Sequence, residues 1–170
     1  MEKISVMIPC FNEVENVEPI SEAVVEMFHK ELPQYDYEIL FIDNASTDGT
    51  RDKLEKICAS NHKIKAIFNV TNFGQFNSPF YGMCQTTGDC TIPLCCDFQD
   101  PVELIPVFVK KWEEGHKIVS GIKSSSKEPG IIYFLRTIYY KTIKNMSSVK
   151  MIEHFTCLLY TSPSPRDSTS

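Results

Sequence analysis

The sequence lacks several features that would place it in a specialised class of protein. Its 17 Lys and Arg are outnumbered by 22 Asp and Glu, and the net charge of −5 argues against a nucleic-acid partner held by bulk positive charge. It contains no apolar run of about 18 residues or more, so the chain as given predicts no membrane-spanning helix. The first residues, MEKISVMIPCFNE, do not resemble a secretory signal. We therefore expect a cytoplasmic protein.

Three ligand-binding motifs are also missing. The sequence contains neither a GxxxxGK[ST] phosphate-binding loop nor the GxGxxG fingerprint of dinucleotide-binding domains. Its seven cysteines are an odd number and show no CxxC spacing, which argues against a zinc site and against a disulfide framework. We therefore predict reduced thiols, and any nucleotide must be held by another device.

What is present is a regular alternation of apolar runs with segments of helical periodicity. Near-continuous apolar strands that alternate with helices are typical of a parallel sheet covered on both faces. The sequence therefore predicts an α/β fold, Rossmann-like and doubly wound, with a mostly parallel sheet and helices on both faces. The predicted strands are residues 4–8, 38–42, 63–68, 90–95 and 117–122, and the predicted helices are 16–31, 50–60, 76–86 and 102–114.

Two C-terminal segments depart from this alternation. Residues 130–146 mix aromatic and basic side chains at helical spacing, which is typical either of a packed helix with a basic outer face or of a helix on a membrane surface. Residues 157–170 are rich in Ser and Pro and lack periodicity, and residues 157–167 resemble a translated sequencing adapter. We therefore expect 1–156 to be the genuine domain, incomplete at its C-terminus, and 157–170 to be a non-native or disordered tail.

Polar side chains follow four consecutive predicted strands. Ligands of open parallel sheets bind outside the carboxyl ends of the strands, so these loops are the candidate site. Asp48 and Asp100 are explained equally well as helix caps or turn residues. Asp97 and Gln99 could supply oxygen ligands to a divalent cation that neutralises a diphosphate. The loop residues are Pro9, Asn12, Glu13, Asp43, Asn44, Ser46, Asp48, Asn72, Phe73, Gly74, Asp97, Gln99 and Asp100.

Four strings carry a resemblance to a known family. ISVMIPCFNEVENV, YEILFIDNASTDGT, NFGQFNSPFYGMCQTTGDC and CCDFQDPVELIPVFVKKWEEGHKIVSGIK resemble family 2 glycosyltransferases with the GT-A fold. Within that family they are most similar to the branch of dolichyl-phosphate mannose synthase and bacterial polyprenyl-phosphate glucosyltransferases. The resemblance runs in order through nearly all of residues 3–146.

The resemblance implies a GT-A catalytic domain over residues 1–156. The implied reaction moves a hexose, with inversion, from a UDP- or GDP-sugar to an acceptor in cell-wall or glycolipid biosynthesis. The acceptor implied first is a polyprenyl or dolichyl phosphate, and a glycan is the second. Mg²⁺ or Mn²⁺ at the diphosphate is the implied cofactor, and the complete protein could associate with the cytoplasmic face of a membrane.

The resemblance also assigns roles to individual residues. It places Pro9, Asn12, Glu13 and Asn72 in the nucleotide-sugar site and gives Asp43 the recognition of the base. It makes Asp97 both a donor contact and, with Gln99, a metal ligand. It implies that Asp97, Lys123 and Arg136 are catalytic, the two cations facing the sugar diphosphate and the acceptor phosphate. For Lys123 and Arg136 a solvated basic helix edge is the alternative.

One departure from the family pattern keeps other functions open. Cys95 occupies the first Asp position of the family's metal-binding motif, and a thiol is a poor ligand for Mg²⁺. We expect Cys95 and Cys96 to be buried packing residues rather than a soft-metal or redox site. A non-catalytic module that binds a nucleotide sugar is one alternative. A sugar-phosphate nucleotidyltransferase is another, although PCFNE is not the Gly-rich basic loop that such an enzyme should show.

Overall fold

A computed structural model of the chain describes residues 1–122 and 155–161. Strands and helices alternate along it, which confirms the predicted α/β class. The elements are β1 (Lys3–Cys10), α1 (Val17–Glu31), β2 (Asp36–Asp43), α2 (Thr50–Ser60), β3 (Ile64–Phe68), α3 (Gly74–Gln85), β4 (Cys90–Pro93), a 3-10 turn (Val102–Leu104), α4 (Ile105–Glu113), β5 (Ile118–Ile122) and β6 (Phe155–Thr161).

The sheet has the strand order β3-β2-β1-β4-β6-β5. Strands β3, β2, β1 and β4 are parallel, so the loops that follow them share one edge. The elements from β1 to α4 belong to one compact unit, which spans Met1–Val119 and resumes at Leu158. The second unit, Ser120–Cys157, lies mostly outside the described residues.

The core is centred on the two middle strands. Ile4, Val6 and Ile8 of β1 are fully buried, as are Ile39 and Phe41 of β2. Neighbouring residues on a strand point to opposite faces, and Met7 of β1 and Ile42 of β2 are fully buried on the other face, because helices cover both faces of the sheet. This burial explains why the strands are continuous apolar runs in the sequence rather than alternating ones.

Helix α1 shows how an amphipathic segment meets this core. Its buried apolar residues recur at helical spacing, and the apolar stripe ends in Phe28. The Phe28 ring stacks on Tyr37 of β2 with centroids 4.5 Å apart, a contact that adds to the energy of burial. The charged residues of α1 lie away from this stripe.

The C-terminal strand β6 overlaps the start of the segment predicted to be a tail. Phe155–Thr161 forms a strand that runs antiparallel to β4, with Cys90 opposite Thr161 and Thr91 opposite Tyr160. Residues 162–170 lie outside the described residues, so the tail over 157–170 stays a prediction. The adapter interpretation concerns the origin of the segment and stays a prediction.

A buried carboxylate organises the sheet edge opposite the candidate site. Glu38 of β2 is 2% exposed and accepts hydrogen bonds from Ser5 Oγ at 2.7 Å, Lys65 Nζ at 2.8 Å, Lys3 Nζ at 3.1 Å and the backbone N–H of Thr87 at 2.6 Å. Burial by itself would raise its pKa, but these donors stabilise the charged form and together lower the pKa to about 2. The charge is therefore structural.

Candidate functional site

The loops after β1 and β2 are held together by reciprocal hydrogen bonds. The backbone N–H of Asn12 donates to Ser46 Oγ at 2.8 Å, and the backbone N–H of Thr47 donates to Asn12 Oδ1 at 2.9 Å. Asn12 adopts a φ of 56°, a left-handed conformation that asparagine tolerates better than most residues. Asn12 therefore fixes the loop geometry with both its backbone and its side chain.

Asp43 ends β2 and is 2% exposed. Its carboxylate accepts the backbone N–H of Ser46 at 3.3 Å and also the Ser46 hydroxyl. The thiol of Cys10 lies 4.0 Å from Asp43 Oδ1. Asp43 thus closes the loop after β2, and the structure places it at the predicted edge but in contact with its own loop.

The loop between β1 and α1 is joined to the start of α2 through Asp48 and Thr50. Asp48 accepts the backbone N–H groups of Val14 at 3.1 Å and Thr50 at 3.0 Å, and Thr50 Oγ1 accepts the backbone N–H of Glu13 at 2.9 Å. Burial by itself would raise the pKa of Asp48. The hydrogen bonds that its carboxylate accepts from Thr50 and Val14 outweigh this effect and lower the pKa. Asp48 therefore acts as the turn and cap residue that its position before Gly49 suggests.

Asn44 was among the predicted loop residues, but the sequence assigned it no role. It is 8% exposed, and its Oδ1 accepts the backbone N–H of Phe73 at 2.9 Å and Asn69 Nδ2 at 3.2 Å. Its Nδ2 donates to Asn72 Oδ1 at 2.9 Å and to the Gly74 carbonyl at 3.3 Å. An amide that follows a buried strand directly was the available signal, but its partners lie about thirty residues away.

These loops enclose a cleft of about 260 Å³ at the carboxyl edge of the sheet. Three of the residues predicted to contact a nucleotide sugar, Pro9, Glu13 and Asn72, line it together. Asn12 and Asp43 are outside this lining set and fix the loops that carry it. The full lining consists of Pro9, Cys10, Phe11, Glu13, Asn44, Asn72, Gly74, Gln75, Ser78 and Pro79.

The predicted metal loop follows β4. Asp97 and Gln99 are both exposed, and Asp97 Oδ1 accepts the backbone N–H of Gln99 at 3.2 Å. Phe98 between them has a φ of 58°. No group of three or more His, Cys, Asp or Glu side chains that could hold a metal occurs in residues 1–122 and 155–161. The two oxygen donors fit a hard cation only if the ligand supplies further oxygens.

The two cysteines of this loop differ in exposure, so the packing expectation holds for one of them. Cys96 is 4% exposed, and burial, with the negative charges of Glu13 and Asp97, raises its pKa to about 12. Such a thiol stays protonated at neutral pH, and the thiolate is the form that binds soft metals and reacts. Cys95 is exposed, contrary to the expectation that both are buried. The metal loop leaves the carboxyl end of β4, which is the parallel neighbour of β1, and the loop after β1 lines the cleft, so both loops lie at the same edge of the sheet.

Two of the predicted catalytic residues, Lys123 and Arg136, lie outside the described residues, as does segment 130–146. Among the helices that the structure describes, none combines the length and the apolar character needed to cross a bilayer.

Comparison with known proteins decides the family. Residues 5–162 match Glycosyl transferase family 2. The chain belongs to this family. It is 34% identical over 151 residues to bactoprenol glucosyl transferase of Shigella phage SfX, a match that covers 89% of the chain and 49% of that protein. This glycosyltransferase chain therefore spans about half the length of the curated relatives it matches.

Solved structures confirm the GT-A fold. Glucosyl-3-phosphoglycerate synthase from Mycobacterium tuberculosis, in complex with Mn²⁺, UDP-glucose and phosphoglyceric acid, matches with a TM-score of 0.62 and 15% identity over 94% of this chain and 56% of that one. The mannosyltransferase PcManGT from Pyrobaculum calidifontis, in complex with GDP-Man and Mn²⁺, matches with a TM-score of 0.58 and 18% identity over 79% and 38%. The family assignment removes the nucleotidyltransferase alternative.

Proposed function

We propose that this chain is the catalytic GT-A domain of an inverting hexosyltransferase that moves a sugar from a nucleotide diphosphate sugar to a polyprenyl phosphate. The observation that carries the proposal is the cleft at the carboxyl edge of the sheet with the Asp97 loop beside it. The family and the bactoprenol glucosyl transferase relative support the reaction and the lipid acceptor. The neighbours that bind UDP-glucose and GDP-Man support a nucleotide sugar as donor.

The lining of the cleft suits a nucleoside. Glu13 and Asn72 provide a carboxylate and an amide that can hydrogen-bond to a base or a ribose, and Pro9 provides an apolar wall. Such a mixture of apolar surface with a few polar groups is typical of small-molecule sites. Asp43 would recognise the base after its carboxylate releases Ser46.

Asp97 and Gln99 would hold Mg²⁺ or Mn²⁺ together with oxygens of the diphosphate. A divalent cation in this position neutralises the diphosphate and stabilises the negative charge of the leaving group. The exposure of both side chains leaves them accessible to a ligand. Cys95 contributes nothing to a hard cation, because thiols prefer softer metals.

The acceptor chemistry explains why the proposed reaction needs no dedicated base. A phosphate monoester has a second pKa near 6, so most of it carries two negative charges at neutral pH and can attack the anomeric carbon directly. We assign Lys123 and Arg136 to the diphosphate and the acceptor phosphate, since charge-assisted hydrogen bonds suit both side chains. The reaction would take place at the cytoplasmic surface of a membrane.

Transfer of labelled sugar from UDP-glucose or GDP-mannose to undecaprenyl phosphate in detergent micelles tests the proposal. We expect label in the lipid fraction with Mn²⁺, and a loss of at least about a hundredfold in Asp97→Asn, in line with other charge-stabilising groups. Asp52→Asn, a matched change at an exposed residue of α2, should leave the rate unchanged. Equal rates in both variants would contradict the assigned role of Asp97.

A non-catalytic nucleotide-sugar-binding module is the second candidate, and Cys95 in the metal motif favours it. Cys95→Asp separates the two candidates. If the natural chain binds donor but transfers no sugar, and Cys95→Asp restores transfer, the binding module is correct. If the natural chain transfers sugar and Cys95→Asp changes the rate little, the enzyme is correct and the thiol is tolerated.

A further inference from the structure

Helix α3 presents an apolar face to solvent. Phe73, Phe76 and Phe80 lie at positions i, i+3 and i+7, which places them on one side of a helix. They are 49%, 78% and 61% exposed, and Val70 in the preceding loop is 94% exposed. We call Phe73, Phe76 and Phe80 the phenylalanine face. Three exposed aromatic side chains on one face form a patch of the kind that marks an interaction surface.

The chain segment that carries the phenylalanine face contains no charged residue, and the charge placed against the adjoining groove is the Arg51 guanidinium, 4.7 Å from the centre of the Phe68 ring. Charged residues make up 23% of the chain, yet residues 66–88 contain no Asp, Glu, Lys, Arg or His. An ordinary exposed helix face carries Lys and Glu, which would lose their hydration when an apolar partner binds. Because residues 66–88 contain no such side chains, this segment adds no desolvation cost of that kind. A groove of about 490 Å³ adjoins the face, lined by Ile67, Phe68, Asn69, Val70, Phe73, Asn77, Ser78 and Tyr81.

The same helix forms a wall of the donor cleft. Gly74, Gln75, Ser78 and Pro79 of α3 line that cleft, and Ser78 also lines the groove beside the phenylalanine face. A partner on the outer face of α3 would therefore lie one helix diameter from the donor, about 10 Å. This proximity matters only for a partner that takes part in the reaction.

We propose that the phenylalanine face docks on the hydrocarbon boundary of a lipid bilayer and so brings the donor cleft to the membrane surface. The inference rests on the proposed function, because a lipid phosphate acceptor resides there. Insertion of apolar side chains drives such binding in proportion to the area buried. The net charge of −5 gives no electrostatic attraction to anionic lipids. Binding must therefore come from apolar insertion, and we expect it to occur on neutral lipids as well.

Co-sedimentation of the 170-residue chain with phosphatidylcholine vesicles tests this surface. We expect binding that changes little between low and high salt, because apolar insertion is not screened. The double variant Phe76→Ser with Phe80→Ser should bind about tenfold more weakly or worse, since burying one Phe side chain corresponds to roughly a tenfold change in partition. Val107→Ser, at a 54% exposed position of α4, is the matched control and should bind like the natural chain.

Three results would overturn the inference. In the first, the natural chain does not bind vesicles; in the second, the double variant binds them as well as the natural chain does. In the third, the natural chain is a dimer that does not bind vesicles, and the double variant is a monomer. The last result would identify a second copy of the chain as the partner. Neither Phe76 nor Phe80 lines the donor cleft, so the donor-induced rise in Tm should survive in the double variant. Vesicle binding without any donor-induced rise would instead count against the proposed function.

Discussion

Asn44 connects the loop after β2 to the loop after β3 through a single side-chain amide. Both its oxygen and its nitrogen are used, and the partners are Asn69, Asn72, Phe73 and Gly74. Asn44 itself is only 8% exposed, so a hydrogen bond that its amide fails to make is costly. The orientation of the loop that begins α3 therefore depends on the chemistry of this one side chain.

Asn44→Asp should destabilise the protein by about 1–3 kcal/mol and weaken donor binding, because it replaces the NH₂ donor with an oxygen facing the Gly74 carbonyl. Urea unfolding and nucleotide-induced shifts in Tm measure the two effects. Asn77→Asp is the matched control, since Asn77 is exposed in the first turn of α3. A control loss as large as that of Asn44→Asp would show that the hydrogen-bond network is unimportant.

Glu38 predicts a specific dependence of stability on pH. Its folded-state pKa of about 2 lies below the ordinary value of 4.5, so its contribution is complete above pH 4.5 and is lost as the pH falls towards 2. The free energy of unfolding of the natural chain, relative to Glu38→Gln, should fall by about 3 kcal/mol between pH 6 and pH 2. Urea unfolding of both proteins across this range measures it, and a constant difference would contradict the assignment.

At the scale of the elements, apolar runs predicted every strand from β1 to β5 because burial on both faces leaves a continuous signal. Element ends were less predictable. Helix α3 starts at Gly74 and not at residue 76, because Asn72 Oδ1 accepts the Gly74 N–H at 2.8 Å. Strand β4 ends at Pro93 and not at 95, although the Leu94 N–H still donates to the Met7 carbonyl oxygen of β1 at 2.9 Å. Such ends depend on single side chains.

The turn between α3 and β4 packs directly on β1 through Gly88. A Cβ at this position would lie 2.6 Å from Ser5 Oγ and 2.7 Å from the Lys3 carbonyl oxygen, so Gly88→Ala forces backbone to move and disturbs the partners of Glu38. We expect a loss of about 2 kcal/mol or more. Gly115→Ala is the control, because its Cβ would meet nothing within 4 Å and only its positive φ costs energy, about 1 kcal/mol. Equal losses in urea unfolding would rule out the proposed clash.

At the scale of the whole molecule, the sheet topology explains which site residues sequence reasoning could find. Parallel strands bring their following loops to one edge, so Pro9, Glu13 and Asn72 converge although they are far apart in the chain. The role of Asn44 could not be predicted, because it depends on side-chain partners from another loop. Lys123 and Arg136 stay predictions.

The measurement that tests the central claim most directly is the Tm of the 170-residue chain with UDP-glucose and GDP-mannose, with and without Mn²⁺. Ligand binding to the native state must raise the Tm by linkage, and at a hundredfold excess over Kd the rise should be about 5 °C or more. We predict a Mn²⁺-dependent rise with one of the two donors, lost in Asp97→Ala and kept in Asp52→Ala. No rise with either donor, or a rise that persists in Asp97→Ala, would contradict a metal-assisted nucleotide-sugar site in this cleft.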